Sequence, residues 1–144
     1  KAYGLQPEVS WNSGIAVDQN MRIFGREASA SIEFFHNNFS NQVVVDYENP
    51  REINFYNLTG KSFSNSLQTE FRFMPAPHFE TRLAYRLLDV QTDFENGRKT
   101  KPLLAKHRGF VNLGYNHHSG WSLDYTLNVV GQKRIPATLE KPIE

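Results

Sequence analysis

The chain has 144 residues, 39% of them hydrophobic and 13% aromatic, which is enough for one domain with a sizeable core. A formal net charge of +1 gives no electrostatic case for nucleic acid as a partner. Cysteine is absent, which excludes disulfides and thiolate metal sites. No apolar run approaches the ~20 residues of a transmembrane helix. That test is blind to a membrane β-barrel, whose strands are only half apolar.

No signal peptide pattern is read at Lys1, and the expectation is that one has been removed or that the chain does not begin at the biological N-terminus. Pro7 keeps the polar segment 1–8 from being a regular central strand. From Val9, the residues Trp11, Ser13, Ile15 and Val17 alternate with polar or small ones and predict a first strand. Residues 19–26 read as a turn, punctuated by Asn20 and Gly25. A second strand is expected from Glu27, with Ala28, Ala30, Ile32 and Phe34 on one face, continuing through Phe39 to Asp46. A loop at 47–51 follows, then a short return strand at 52–56 and an irregular stretch at 57–62.

The next stretch organises the rest of the chain. Leu67, Thr69, Phe71 and Phe73 alternate with Ser66, Gln68, Glu70 and Arg72. After Pro75-Ala-Pro77, Phe79, Thr81, Leu83, Tyr85 and Leu87 alternate with Glu80, Arg82, Ala84 and Arg86. Period-two alternation sends successive side chains to opposite faces, so this hairpin has one apolar, aromatic face and one charged face. Folding about Ala76 predicts Phe73 opposite Phe79, Arg72 opposite Glu80 and Glu70 opposite Arg82. Such opposite-charge pairs contribute roughly 0.2–1 kcal/mol each. Residues 88–102 turn polar, with Asn96-Gly97 and the basic run Arg98-Lys-Thr-Lys101, and read as a long exposed loop. Val111, Leu113 and Tyr115 resume the alternation, His117-His-Ser-Gly120 is a polar turn, and Trp121, Leu123, Tyr125, Leu127 and Val129 mark the last strand.

The pattern is all-β, an antiparallel meander of about six strands, with short turns at one end and long connections at the other. Two architectures share it: an outer-membrane barrel and a soluble, secreted β-sandwich acting as a binding module, for instance for carbohydrate. Phe73, Phe79 and Trp121 cluster beside the short turns on the apolar face, with Tyr85 and Tyr125 further along, as interfacial aromatic belts require.

Several segments, taken in order, resemble the C-terminal part of the barrel of TonB-dependent outer-membrane receptors. They are Leu5-Gln-Pro-Glu-Val-Ser-Trp-Asn12, Ile32 to Val43, Tyr56 to Ser62, Leu67-Gln-Thr-Glu70, Leu83 to Asp89, and Pro102 to Gly131. Ser66 stands where such receptors usually carry glycine. The resemblance implies a barrel of about 22 strands closed by a plug. Such a barrel lies in the bacterial outer membrane and imports a scarce nutrient (iron–siderophore, cobalamin or oligosaccharide) by active transport. Residues 1–144 would then be one segment of the wall, a fragment without plug or remaining strands. Its partners would be the rest of the barrel, the plug, the TonB complex through the plug, membrane lipid and a surface lipoprotein. Ligand contacts would fall on Asn49, Arg51, Asn54, Arg98, Lys99 and Lys101 in the long loops. Gln68, Glu70, Arg72, Glu80, Arg82, Arg86, Asp124 and Asn128 would face the lumen. Phe71, Phe73, Phe79, Leu83, Tyr85, Trp121, Leu123, Tyr125 and Leu127 would face lipid.

No catalytic or cofactor site is expected. His117 and His118 are neighbours that a strand would send to opposite faces, and His36, His78 and His107 lack ligand spacing, so no metal site is expected either. The charges around Glu70 read as a ladder satisfying itself and not as an acid–base pair, which would need a cleft and two different environments.

Overall fold

The computed structural model describes residues 4–46, 51, 53–94 and 97–135. Its regular elements are the strands β1 (Val9–Ile23), β2 (Arg26–Ser40), β3 (Val43–Asp46), β4 (Asn54–Asn57), β5 (Ser62–Ala76), β6 (Phe79–Phe94), β7 (Gly97–Thr100), β8 (His107–Asn116) and β9 (Ser122–Val130). The long strands form one antiparallel sheet in the order β1-β2-β5-β6-β8-β9, with β7 added to β6. β3 and β4 form a separate hairpin within the β2–β5 connection. The sheet is an open meander: β1 and β9 each leave one side unpaired among the described residues.

The three tight turns lie at one end. Phe24 and Gly25 close β1 on β2 with φ of 52° and 75°, the positive values of a type I′ turn, whose twist suits a hairpin. Pro77 and His78 close β5 on β6, and His78 adopts φ 65° after a proline suited to the preceding turn position. Residues 117–121 close β8 on β9, held by the His117 amide donating to the Trp121 carbonyl at 2.9 Å. The longer connections lie at the other end. There the Gln6 amide donates to Asn57 Oδ1 (2.7 Å) and the Val43 amide to Glu8 Oε1 (2.8 Å), which ties the lead-in to β1 onto the β3–β4 hairpin.

Four expectations are corrected. The turn between β5 and β6 is not centred on Ala76. An irregularity between Phe73 and Ala76, followed by the Pro77–His78 loop, slides the register by two residues, so that Phe73 faces Thr81, Phe71 faces Leu83 and Arg72 faces Arg82. An even slip preserves the faces and exchanges the partners. The first strand runs past Asn20 to Ile23. The second does not reach Asp46, because Asn41 at φ 56° ends it and β3 leaves in a new direction. Residues 88–94 are not loop: β6 continues through them, and β7 pairs with its end. Glu52 and the loop at 47–50 fall outside the described residues.

The fold buries little. Among the described residues the buried apolar ones are Ala28, Val44, Leu58 and Ala105, of which Ala28 alone lies in the large sheet. Ser62 and Thr92 are buried where β5 and β6 leave the sheet, and a side chain on Gly60 would strike the Asp93 carbonyl. The long strands pair only side by side and their large apolar side chains stand exposed, so the described sheet is a single layer. A water-soluble domain buries one face of a sheet in a second layer.

Candidate functional site

The register sorts the side chains of the six long strands into two faces. Of the residues predicted to face lipid, Phe71, Phe73, Phe79, Leu83, Tyr85, Leu123, Tyr125 and Leu127 lie on one face, and Trp121, in the turn before β9, packs against Tyr115 of that face. Val17, Ile32, Thr69, Tyr85, Gly109 and Val129 form one continuous row on it. This face is apolar across the whole sheet and open: Trp11 is 78% exposed and Leu123 62%. The residues predicted to face a lumen, from Gln68 to Asn128, all lie on the opposite face. That face adds Phe35, whose ring covers Gly14 in β1 so closely that a side chain there would collide with it.

The apolar stripe ends at the same row in β2 and β6. In β6 it runs from Phe79 to Leu87, about nine residues, the length with which a tilted strand crosses a bilayer. Beyond Leu87 the polarity inverts. Asp89, Gln91 and Asp93 continue the formerly apolar face, while Leu88, Val90 and the buried Thr92 turn to the other. β2 inverts at the same level, where His36 and Asn38 follow Phe34. His36 Nδ1 and Asn65 Oδ1 are hydrogen-bonded at 2.7 Å just above the limit. Aromatic residues gather at both margins of the stripe. Tyr115, His117 and Trp121 pack together beside the tight turns, with the His117 and Trp121 rings stacked 4.8 Å apart. At the upper margin the Tyr85 hydroxyl meets His107 Nδ1 at 2.7 Å.

The charged face centres on Glu70. Arg82 Nη2 donates to its Oε2 at 2.6 Å and Arg72 Nε to its Oε1 at 2.7 Å. The predicted Glu70–Arg82 pair therefore forms, but diagonally, through the two-residue slip. The predicted Arg72–Glu80 opposition does not form, because the slip sets Arg72 opposite Arg82, and its guanidinium bonds Glu70 along its own strand. Arg82 also lies over the Phe110 ring, 5.3 Å from its centroid, a cation–π contact. Its Nε is buried without a hydrogen-bond partner among the described residues. Above this cluster a shallow hollow of about 370 Å³ opens between Gln68, Arg86, Arg108, Phe110, Asn128 and Val130. Arg108 and Phe110 were not anticipated, since only the β6–β8 register brings them beside Arg82 and Arg86.

The predicted loop residues lie at the far end. Asn54 pairs with Asp46 in the β3–β4 hairpin, and Arg51 is exposed nearby in the chain. Asn49 lies outside the described residues. Arg98 is already engaged: its Nε and Nη2 hold the Asp93 carboxylate at 2.6 and 3.1 Å, and its guanidinium lies 5.5 Å from the Phe63 ring centroid. This bond from Arg98 holds the Asp93 carboxyl below its ordinary range and raises Arg98 in turn. Lys99 faces Thr92 in the β6–β7 ladder, and the Lys101 amide extends that ladder by donating to the Val90 carbonyl at 3.2 Å. The predicted loop residues are thus distributed over two connections and form no single cluster in the described structure.

Among the described residues no group of three or more His, Asp or Glu side chains is placed to hold a metal ion. Comparison with protein-family models, curated proteins and solved structures found no match to this chain.

Proposed function

We propose that this chain is a wall segment of a transmembrane β-barrel in the bacterial outer membrane. One observation carries the reading: a single-layer sheet with an apolar face exposed from edge to edge and a charged, internally paired face behind it. In water such an apolar face is far larger than the few hundred Å² that soluble monomers leave bare. In lipid it is the required surface, and the charged face lines an aqueous interior.

Three further features support it. Tight turns at one end and long connections at the other are the asymmetry of outer-membrane barrels, with the turns on the periplasmic side. The stripe ends where the polarity inverts, flanked by aromatic residues at both margins. The unpaired sides of β1 and β9 call for further strands, since open edges are not tolerated in lipid. A secreted sandwich would need a second sheet over the apolar face, whose side chains are exposed among the described residues.

Within that class the order of segments resembling TonB-dependent receptors favours active import of a scarce nutrient, an iron–siderophore, cobalamin or an oligosaccharide, with no catalysis by this wall. The test is fractionation and uptake in cells producing the whole protein. The protein is expected in the outer membrane, and uptake of one of these solutes is expected to collapse when TonB is removed. Recovery in the soluble fraction would sink the barrel reading. Membrane recovery with TonB-independent uptake would sink only the transporter class.

A further inference from the structure

The charged face carries two pairs of directly opposed arginines, and only one of them is neutralised. In the β5–β6 ladder Arg72 faces Arg82, and in the β6–β8 ladder Arg86 faces Arg108. Like charges placed directly opposite destabilise a sheet, because the side-chain stems start only about 4.5–5.5 Å apart. The first pair is bridged by a carboxylate, with one Glu70 oxygen bound to each guanidinium at 2.7 and 2.6 Å. The second pair has no such bridge. Arg86 and Arg108 are exposed and make no hydrogen bond or ion pair with a described residue. Glu70 is occupied by the first pair. Glu33 shares the row of Arg86 but lies two strands away, with Gln68 between them. Asp89, although close in sequence, belongs to the other face and binds Lys106 at 3.2 Å.

We propose that Arg86 and Arg108 form a binding site for an oxyanion, a carboxylate or a phosphate, held between their guanidinium groups as Glu70 is held between Arg72 and Arg82. Guanidinium groups match both anions with paired N–H donors. The hollow of about 370 Å³ is open at this point, with Gln68 and Asn128 as further polar groups and Phe110 and Val130 as walls for the body of an organic anion. The site goes beyond the transport reading and does not depend on what the apolar face meets. Its position toward the long-loop end puts it near one mouth of the charged face. The anion has two sources: a soluble molecule, or a carboxylate elsewhere in the same protein.

Chemical modification separates these sources. The full-length protein in detergent is treated with phenylglyoxal, and adducts at Arg86 and Arg108 are mapped by mass spectrometry, with Arg82 as the internally bridged reference. Modification of both, slowed at least tenfold by citrate or inorganic phosphate, supports a soluble oxyanion. Protection without added anion, relieved after the protein's carboxylates are amidated with carbodiimide and glycinamide, supports an internal carboxylate. Modification that neither citrate nor phosphate slows, or protection that persists after amidation, overturns the proposal.

Discussion

Replacing Glu70 by Gln removes the charge that separates Arg72 from Arg82 while keeping the shape of the side chain. Charge-assisted hydrogen bonds contribute about 1.5–3 kcal/mol each where they are sheltered, but the two bonds here are sheltered unequally. The side chains of Glu70 and Arg82 are 17% and 39% exposed, whereas Arg72 is 50% exposed. Screening reduces the Arg72 bond to no more than about 0.5 kcal/mol. The Arg82 bond keeps about 1–1.5 kcal/mol, because its guanidinium is also packed on Phe110 and its Nη2 lies 2.6 Å from a sheltered Glu70 carboxylate. Glu70→Gln also leaves two arginines face to face, which adds a few tenths of a kcal/mol. The expected loss is therefore about 1.5–2.5 kcal/mol, read by urea unfolding of the folded protein in lipid vesicles. Double-mutant cycles with Arg72→Gln and Arg82→Gln assign the parts, and coupling to Arg82 is expected to exceed coupling to Arg72. A loss below about 0.5 kcal/mol, or equal couplings, would refute the geometry from which these values are built.

Two further outcomes follow from the ends of the strands. Phe24 is 96% exposed in a left-handed conformation that asparagine adopts with less strain, so Phe24→Asn should raise stability by about 0.5–1 kcal/mol in urea unfolding; a comparable loss would show that the ring itself is bound. Asp93 lies beyond the apolar stripe and its carboxyl is held low by Arg98. A carboxyl lowered in the folded state contributes above its unfolded value and loses that contribution as pH falls through the folded one. The β6–β7 pairing should therefore persist through the ordinary aspartate range, near pH 3.9, and loosen only below it. Amide exchange of residues 97–100 across that range measures this, and loosening at or above pH 5 would contradict it.

The two faces were legible in the sequence because a period of two is set by the strand itself. Any even slip leaves it intact, which is why Phe71, Leu83 and Leu127 fall together although the β5–β6 partners were misassigned. The register was not legible, because Met74-Pro75-Ala76-Pro77 offers two places to turn, and the irregularity after Phe73 selects the later one. The upper half of β6 was hidden by its own inversion. Leu88, Val90 and Thr92 still alternate with Asp89, Gln91 and Asp93, but on opposite faces from Leu83 and Leu87, so the segment resembles a polar loop. Arg86 and Arg108 lie far apart in sequence across β7 and its flanking loops, and no local pattern brings them together before the β6–β8 register is known.

The most direct test of the central claim uses two neighbours on β9. The chain lacks cysteine, so Leu127→Cys and Asn128→Cys each create a unique attachment point for a spin label. In the intact protein in lipid vesicles, the label at 127 should collide mainly with oxygen dissolved in the bilayer, and the label at 128 mainly with a water-soluble nickel chelate. A label at 127 that meets neither reagent would mean a second protein layer covers the face, and one that meets the chelate would mean the face is wet. Either result contradicts the membrane wall.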